Sequence, residues 1–215
     1  MSGAPLAPRL IAIIDSERAR FDEWLARLTP LLALARPASV LVMLRDRQLP
    51  ARERRAMGAA LRVLCSAHAQ LLCVNDRLDL ALLLDADAVH LPEDGVAVED
   101  ARALGARHGR SWWVSRASHE PADTARTDAD AVLLAPVAEA RKGRPALGVE
   151  GLARARAALD ARARPPACRL YALGGVTAAN APALLEAGAH GVALIGALLE
   201  PGAPAALVRA LALFP

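Results

Sequence analysis

Asp76 and Asp94 are the acids whose placement most invites chemistry. Each follows an apolar run closely, Leu71–Val74 for the first and Ala88–Leu91 for the second. Two carboxylates that leave positions open for water and phosphate oxygens suit Mg²⁺, a hard cation that rarely gets an all-protein cage. Both acids also have plainer uses: Asp76 as the cap of the helix that follows, Asp94 within the turn Pro92-Glu93-Asp94-Gly95. Cations accompany them. Arg45 and Arg47 flank Asp46 after another apolar run. Alternation along extended chain puts both arginines on one side, where guanidinium forks could hold phosphate bidentately. A solvated charged loop is the alternative. Lys142 is the only lysine in the chain and shares a long loop, Pro136–Leu147, with Arg141 and Arg144. A lone lysine there suggests a point charge for an anion.

Glycine and histidine extend the set. Gly174-Gly175 and Ile195-Gly196 each follow an apolar run. Glycine lets backbone N–H groups approach a ligand closely, and the next helix N-terminus favours an anion. Tight turns alone would also want it. His119 lies where a proton donor or acceptor could act, or where a helix simply begins in solvent. His90 reads as packed, and His68, His108 and His190 as surface residues near helix ends. Trp112-Trp113 read as one ring inward and one beneath the outer helices. Cys65, Cys73 and Cys168 form no CxxC pair or metal-spaced set and read as small core residues.

These residues need elements to position them. Strands are expected at Arg9–Ile14, Ser39–Leu44, Leu71–Val74, Ala88–Leu91, Ser111–Ser115, Ala131–Ala135, Arg169–Leu173 and Gly191–Leu194. A helix is expected after each: Glu17–Ala35 capped by Ser16, Pro50–Ala69, Leu78–Leu84, Val98–His108, one ending near Thr127, Glu150–Ala163, one capped by Thr177 and ending near Ala187, and a last one to Leu213. Strict alternation forces parallel strands with helical crossovers. Eight units within 215 residues match a compact α/β fold, a single (β/α)8 TIM barrel over 9–215 behind a flexible tail of residues 1–8. An open doubly wound sheet would want a glycine fingerprint after strand one, where Asp15-Ser16 stands. In a barrel the loops after the strands open on one face, so the residues above become neighbours.

Composition narrows the function classes. Apolar residues make up 54% and aromatics 3%, so Leu, Val, Ile and Ala build the core. The net charge of +3 carries no basic block interleaved with aromatics, which argues against a nucleic-acid partner and for small anionic substrates. Genomic base composition is the simplest source of the arginine excess. Asp85 and Asp87 break the most apolar stretch, so no membrane span is expected. The start, MSGAPLAP, lacks a leader's apolar region, and the odd cysteine count agrees with reduced thiols in the cytoplasm. Association of like chains is left open.

Together MLRDR (43–47), VNDRLDLAL (74–82), DAVHLPED (87–94), SRASHE (115–120), the Lys142 loop with LGVEGL (147–152), ALGGVTAAN (172–180) and GAHGVALIGALL (188–199) resemble the thiamine phosphate synthase and TenI-like thiazole tautomerase superfamily over nearly the whole chain. The resemblance implies a synthase that joins hydroxymethylpyrimidine diphosphate to thiazole phosphate and expels pyrophosphate. It implies Mg²⁺ on Asp76 and Asp94. It implies pyrophosphate on Arg45, Arg47, Asn75 and Lys142, and thiazole phosphate at Gly174, Gly175, Ile195 and Gly196. His119 matches a histidine of both branches that moves a proton in the tautomerases. Several positions depart from the synthase pattern: Met43 replaces a glutamine, Arg47 a lysine, and Ala117 and Gly196 serines. Ala138-Glu139-Ala140 stands where threonines usually precede the lysine, and Pro92-Glu93 resembles the tautomerases. The alternatives are thus a tautomerase using His119 as acid/base, or a degenerate paralogue that binds thiazole phosphate without turnover.

Overall fold

The computed structural model describes residues 7–162 and 168–214. Eight parallel strands close into one barrel in sequence order, β1 (Leu10–Ile14), β2 (Val40–Leu44), β3 (Leu71–Asn75), β4 (Ala88–Leu91), β5 (Trp113–Ser118), β6 (Ala131–Leu134), β7 (Arg169–Leu173) and β8 (Gly191–Leu194), with β8 pairing back onto β1. Around it run α1 (Phe21–Leu34), α2 (Ala51–Ala67), α3 (Leu78–Leu83), α4 (Val98–Arg107), α5 (Gly148–Asp160), α6 (Ala181–Glu186) and α7 (Ala203–Ala210). The expected (β/α)8 barrel is therefore the observed one. Most of the expected tail precedes the described residues. No described helix is long and apolar enough to cross a membrane.

Side chains that alternate along each strand separate into two cores. Ile11, Ile13, Leu41, Met43, Cys73 and Leu133 are among those that fill the barrel. Their neighbours face the helices, as Val42, Val74 and Leu134 do. Trp113 points inward and meets Tyr171 edge-on at 6.0 Å, while Trp112 joins the outer core, as expected from their adjacency. The three cysteines are buried and unpaired.

Five local expectations are corrected. Ser16 caps no helix; α1 begins at Phe21 and Ser16 instead binds Asp46 across the loops. Thr177 likewise sits before the cap, because Asn180 occupies that position and the two bond each other within a turn. The helix expected after β5 is a 3₁₀ turn, Pro121–Arg126, and the last helix is split into a 3₁₀ turn, Gly196–Leu199, and α7. His190 is half-buried rather than superficial, packed 5.6 Å from the Tyr171 ring.

Candidate active site

The period that fills the barrel with apolar groups carries on past them and ends in polar ones. Ile11 and Ile13 face inward, so Asp15 does too. The same step places Arg45 above Met43, Asn75 above Cys73, His90 above Ala88 and Ser115 above Trp113. This polar ring lies at the C-terminal ends of the strands, the face where (β/α)8 barrels carry their chemistry.

The first two loops are stitched together. Arg45 Nη1 lies 2.5 Å from Asp15 Oδ2, and Asp15 is only 5% exposed. Trp24 Nε1 donates to the Asp15 carbonyl at 3.1 Å, and the Glu17 N–H to its carboxylate at 3.1 Å. Asp46 is fully buried and accepts both the N–H and the hydroxyl of Ser16. Arg47 is exposed beside them.

Asn75 and His90 are register partners on β3 and β4. His90 Nδ1 is 2.9 Å from Ser115 Oγ, and the ring is buried as expected. Burial lowers its pKa from an ordinary 6.5 to about 3, helped by the charges of Arg47, Arg45 and Arg116. His90 is therefore neutral at physiological pH, and the arginines that surround it make the mouth electropositive. In acid the unfolded chain takes up a proton at this residue that the folded chain refuses, so stability is complete above pH 6.5 and falls as pH drops toward 3. Urea unfolding is expected to show about 2 kcal/mol lost through His90 between pH 7 and pH 4.5, a loss that His90→Asn removes. An equal acid dependence in that variant would contradict the assignment. Asn75 is 1% exposed, and its Nδ2 has no hydrogen-bond partner. A buried amide donor without an acceptor, at the mouth of a barrel, is a place for a ligand oxygen.

One of the two acids departs from its plainer reading. Asp76 does not cap α3, whose cap position is Arg77 with no side-chain bond. It is exposed, has φ of 67°, and donates its N–H to the His90 carbonyl at 2.9 Å. Asp94 does lie in the expected turn, closed by the Gly95 N–H on the Pro92 carbonyl, and is also exposed. Among the described residues no three His, Cys, Asp or Glu side chains gather to hold a metal.

His119 meets Glu93. Its Nδ1 is 2.7 Å from Glu93 Oε2, and its N–H donates to Oε1 at 3.3 Å. Burial pushes the Glu93 carboxyl up, but the His119 hydrogen bond and charge, with the charge of Arg144, bring it below its usual value. Within the β6 loop, Arg141 and Arg144 exchange backbone hydrogen bonds around Lys142 and Gly143, whose φ values are 52° and 75°. Lys142 is at the exposed tip of this hairpin. The loop's base is fixed, since Val137 and Ala138 donate to the carbonyls of Leu173 and Gly174.

Gly174 and Gly175 both have positive φ, and a Cβ on Gly175 would lie 2.4 Å from Glu139 Cβ. Only glycine permits this close approach of the β6 and β7 loops. Gly196 is different: a Cβ there would meet nothing within 4 Å, so the space beside it is open. Ile195 precedes it, partly buried against both cores.

Three participants are absent from the sequence-derived set. Asp15 shows no periodicity of its own and is found only through Arg45. Arg116 follows two residues read as the end of a strand that in fact continues to Ser118. Arg54 was legible: it shares the buried face of α2 with Met57, Gly58, Leu61 and Cys65.

A closed parallel barrel with a polar, arginine-rich ring at its strand ends defines a (β/α)8-barrel enzyme. Residues 10–198 match the family model described as thiamine monophosphate synthase, and the chain belongs to that family. It is 41% identical over 175 residues to the thiamine-phosphate synthase of Natronomonas pharaonis, covering 80% of this chain and 79% of that one. It is 32% identical over 211 residues to the thiamine-phosphate synthase of Roseiflexus castenholzii, covering 96% and 88%. Among solved structures, thiamine phosphate pyrophosphorylase from Pyrococcus furiosus shares the fold with a TM-score of 0.75 at 21% identity, over 96% of both chains.

Proposed function

We propose that this protein is a thiamine phosphate synthase, a transferase that joins hydroxymethylpyrimidine diphosphate to thiazole phosphate and releases pyrophosphate. The observation that carries this reading is the unpartnered Asn75 Nδ2, buried at the end of β3 with the exposed Asp76 as its next residue. In the proposed complex Asn75 donates to the diphosphate, and Arg45, Arg47 and Lys142 meet its charge. The Arg141–Arg144 hairpin would bring Lys142 down over it. Gly174, Gly175, Ile195 and Gly196 hold the thiazole phosphate on backbone N–H groups, with the open space beside Gly196 in place of the usual serine. A cytoplasmic site of action completes the reading.

Mg²⁺ fits this site as a shared ligand. Two exposed carboxylates without a third acidic or imidazole partner supply part of a coordination sphere, and phosphate oxygens and water complete it. Bound between Asp76, Asp94 and the diphosphate, it would neutralise charge that grows on the leaving group. The protein's own part is to keep the diphosphate bent toward these cations while the carbon–oxygen bond to the pyrimidine methylene breaks. It also holds the thiazole nitrogen in line to form the new carbon–nitrogen bond. Positive charge that develops on the methylene is spread into the pyrimidine ring.

The Glu93–His119 pair favours a second reading, thiazole tautomerisation, since a carboxylate on Nδ1 leaves Nε2 to move a proton. The two are separated by His119→Ala. A synthase keeps Mg²⁺-dependent product formation within about tenfold. A tautomerase loses a metal-independent reaction altogether, and that result would displace the synthase reading.

A further inference from the structure

Two arginines stand behind the site in positions that favour no arginine on grounds of stability. Arg54 is 6% exposed, on the first turn of α2, outside the barrel wall. Arg116 lies on the outward side of β5, alternating with the inward Trp113 and Ser115. Each has a buried Nε with no partner. Among the described residues neither makes an ion pair. Arg54, a buried cation without a paired anion, costs more than an apolar side chain of similar volume, while Arg116 is partly exposed with only its Nε shut away.

What the two guanidinium groups do touch is alike. Arg54 Nη2 donates to the Asn75 carbonyl at 3.3 Å. Arg116 Nη1 donates to the Glu93 carbonyl at 3.3 Å, and Nη2 to the Val96 carbonyl. In both cases the clamped carbonyl belongs to the peptide unit that leads directly into an acid, 75–76 for Asp76 and 93–94 for Asp94. The 75–76 unit is fixed at its other end as well, since the Asp76 N–H donates to His90. That unit enters a residue with φ of 67°, a conformation an L-residue keeps only when its surroundings hold it there.

We infer that Arg54 and Arg116 are positioning residues, which fix the 75–76 and 93–94 peptide units from behind so that Asp76 and Asp94 present their carboxylates to one cation. The inference rests on the proposed synthase function. Outer partners of metal ligands commonly change metal affinity by about 10- to 100-fold.

The test is calorimetric titration of inorganic pyrophosphate into the full chain, with Mg²⁺ and with EDTA. The unsubstituted protein is expected to bind more tightly with Mg²⁺. Arg54→Met and Arg116→Met are each expected to lose about 10- to 100-fold more pyrophosphate affinity with Mg²⁺ than with EDTA. An undiminished enhancement, or an equal fall with and without Mg²⁺, overturns the inference, the latter because general loosening would weaken both. If the methionine variants do not fold, Arg54→Lys and Arg116→Lys take their place. These keep the charge but lose the fork, and full enhancement in them also overturns it. If the unsubstituted protein shows pyrophosphate binding but no Mg²⁺ enhancement, the metal assignment itself has failed and this inference goes with it.

Discussion

Asp76→Asn is expected to lower the rate of thiamine phosphate formation by a factor on the order of a hundred to a thousand while leaving stability within about 0.5 kcal/mol. The two halves of this expectation come from different observations. Asp76 is exposed and caps no helix, so folding asks little of its charge. Its φ of 67° suits asparagine as readily as aspartate, so the backbone is not strained by the change. The loss is then confined to the cation that its carboxylate would hold against the diphosphate. Raising Mg²⁺ should recover part of the rate, because the other carboxylate, Asp94, remains. Steady-state rates across a Mg²⁺ series, paired with urea unfolding, check both halves. A variant as active as the parent would remove Asp76 from the metal assignment, and one that unfolds would show that its role is structural.

Arg45→Ala should do the opposite and cost both stability and activity. Arg45 is the ion-pair partner of Asp15, a residue 5% exposed whose carboxylate also accepts from the Glu17 N–H and whose main-chain carbonyl accepts from Trp24. Removing the guanidinium strands that carboxylate, at a cost of about 3 kcal/mol, a large share of what a domain has. It also removes a cation from the mouth, which should raise the KM for the diphosphate. The double variant Asp15→Asn, Arg45→Ala separates the effects. Without the stranded charge, most of the stability is expected to return, while the KM stays high. Recovery of both would mean that Arg45 serves only Asp15; recovery of neither would mean that the ion pair is not what stabilises these loops.

The barrel was legible in the sequence because its strands are nearly continuous apolar runs and its acids, glycines and arginines follow them. What blurred was the upper edge. β5 reads as ending at Ser115 but continues through Arg116-Ala117-Ser118, because residues at strand tops face either the mouth or the loops and need not be apolar. Asp76 shows a similar limit. Its sequence context fits a helix cap, and only the backbone conformation excludes one. Asn75 was singled out on resemblance; the physical reason to do so, a buried amide donor left open, exists only in three dimensions. Arg54 is the instructive omission. Its spacing to Met57, Leu61 and Cys65 puts it on the apolar face of α2, but in so arginine-rich a chain another arginine passes for a solvated one. His190 was misplaced for a related reason: a histidine at the foot of a strand packs on Tyr171, which no local pattern announces.

The most direct test of the central claim is to incubate the full chain with hydroxymethylpyrimidine diphosphate and thiazole phosphate and to resolve the products by chromatography, with Mg²⁺ and with EDTA. Thiamine phosphate and pyrophosphate are expected to appear in equal amounts with Mg²⁺, to depend on both substrates, and to fall sharply in EDTA. No thiamine phosphate under any of these conditions, from a protein that folds and binds pyrophosphate, would contradict the account.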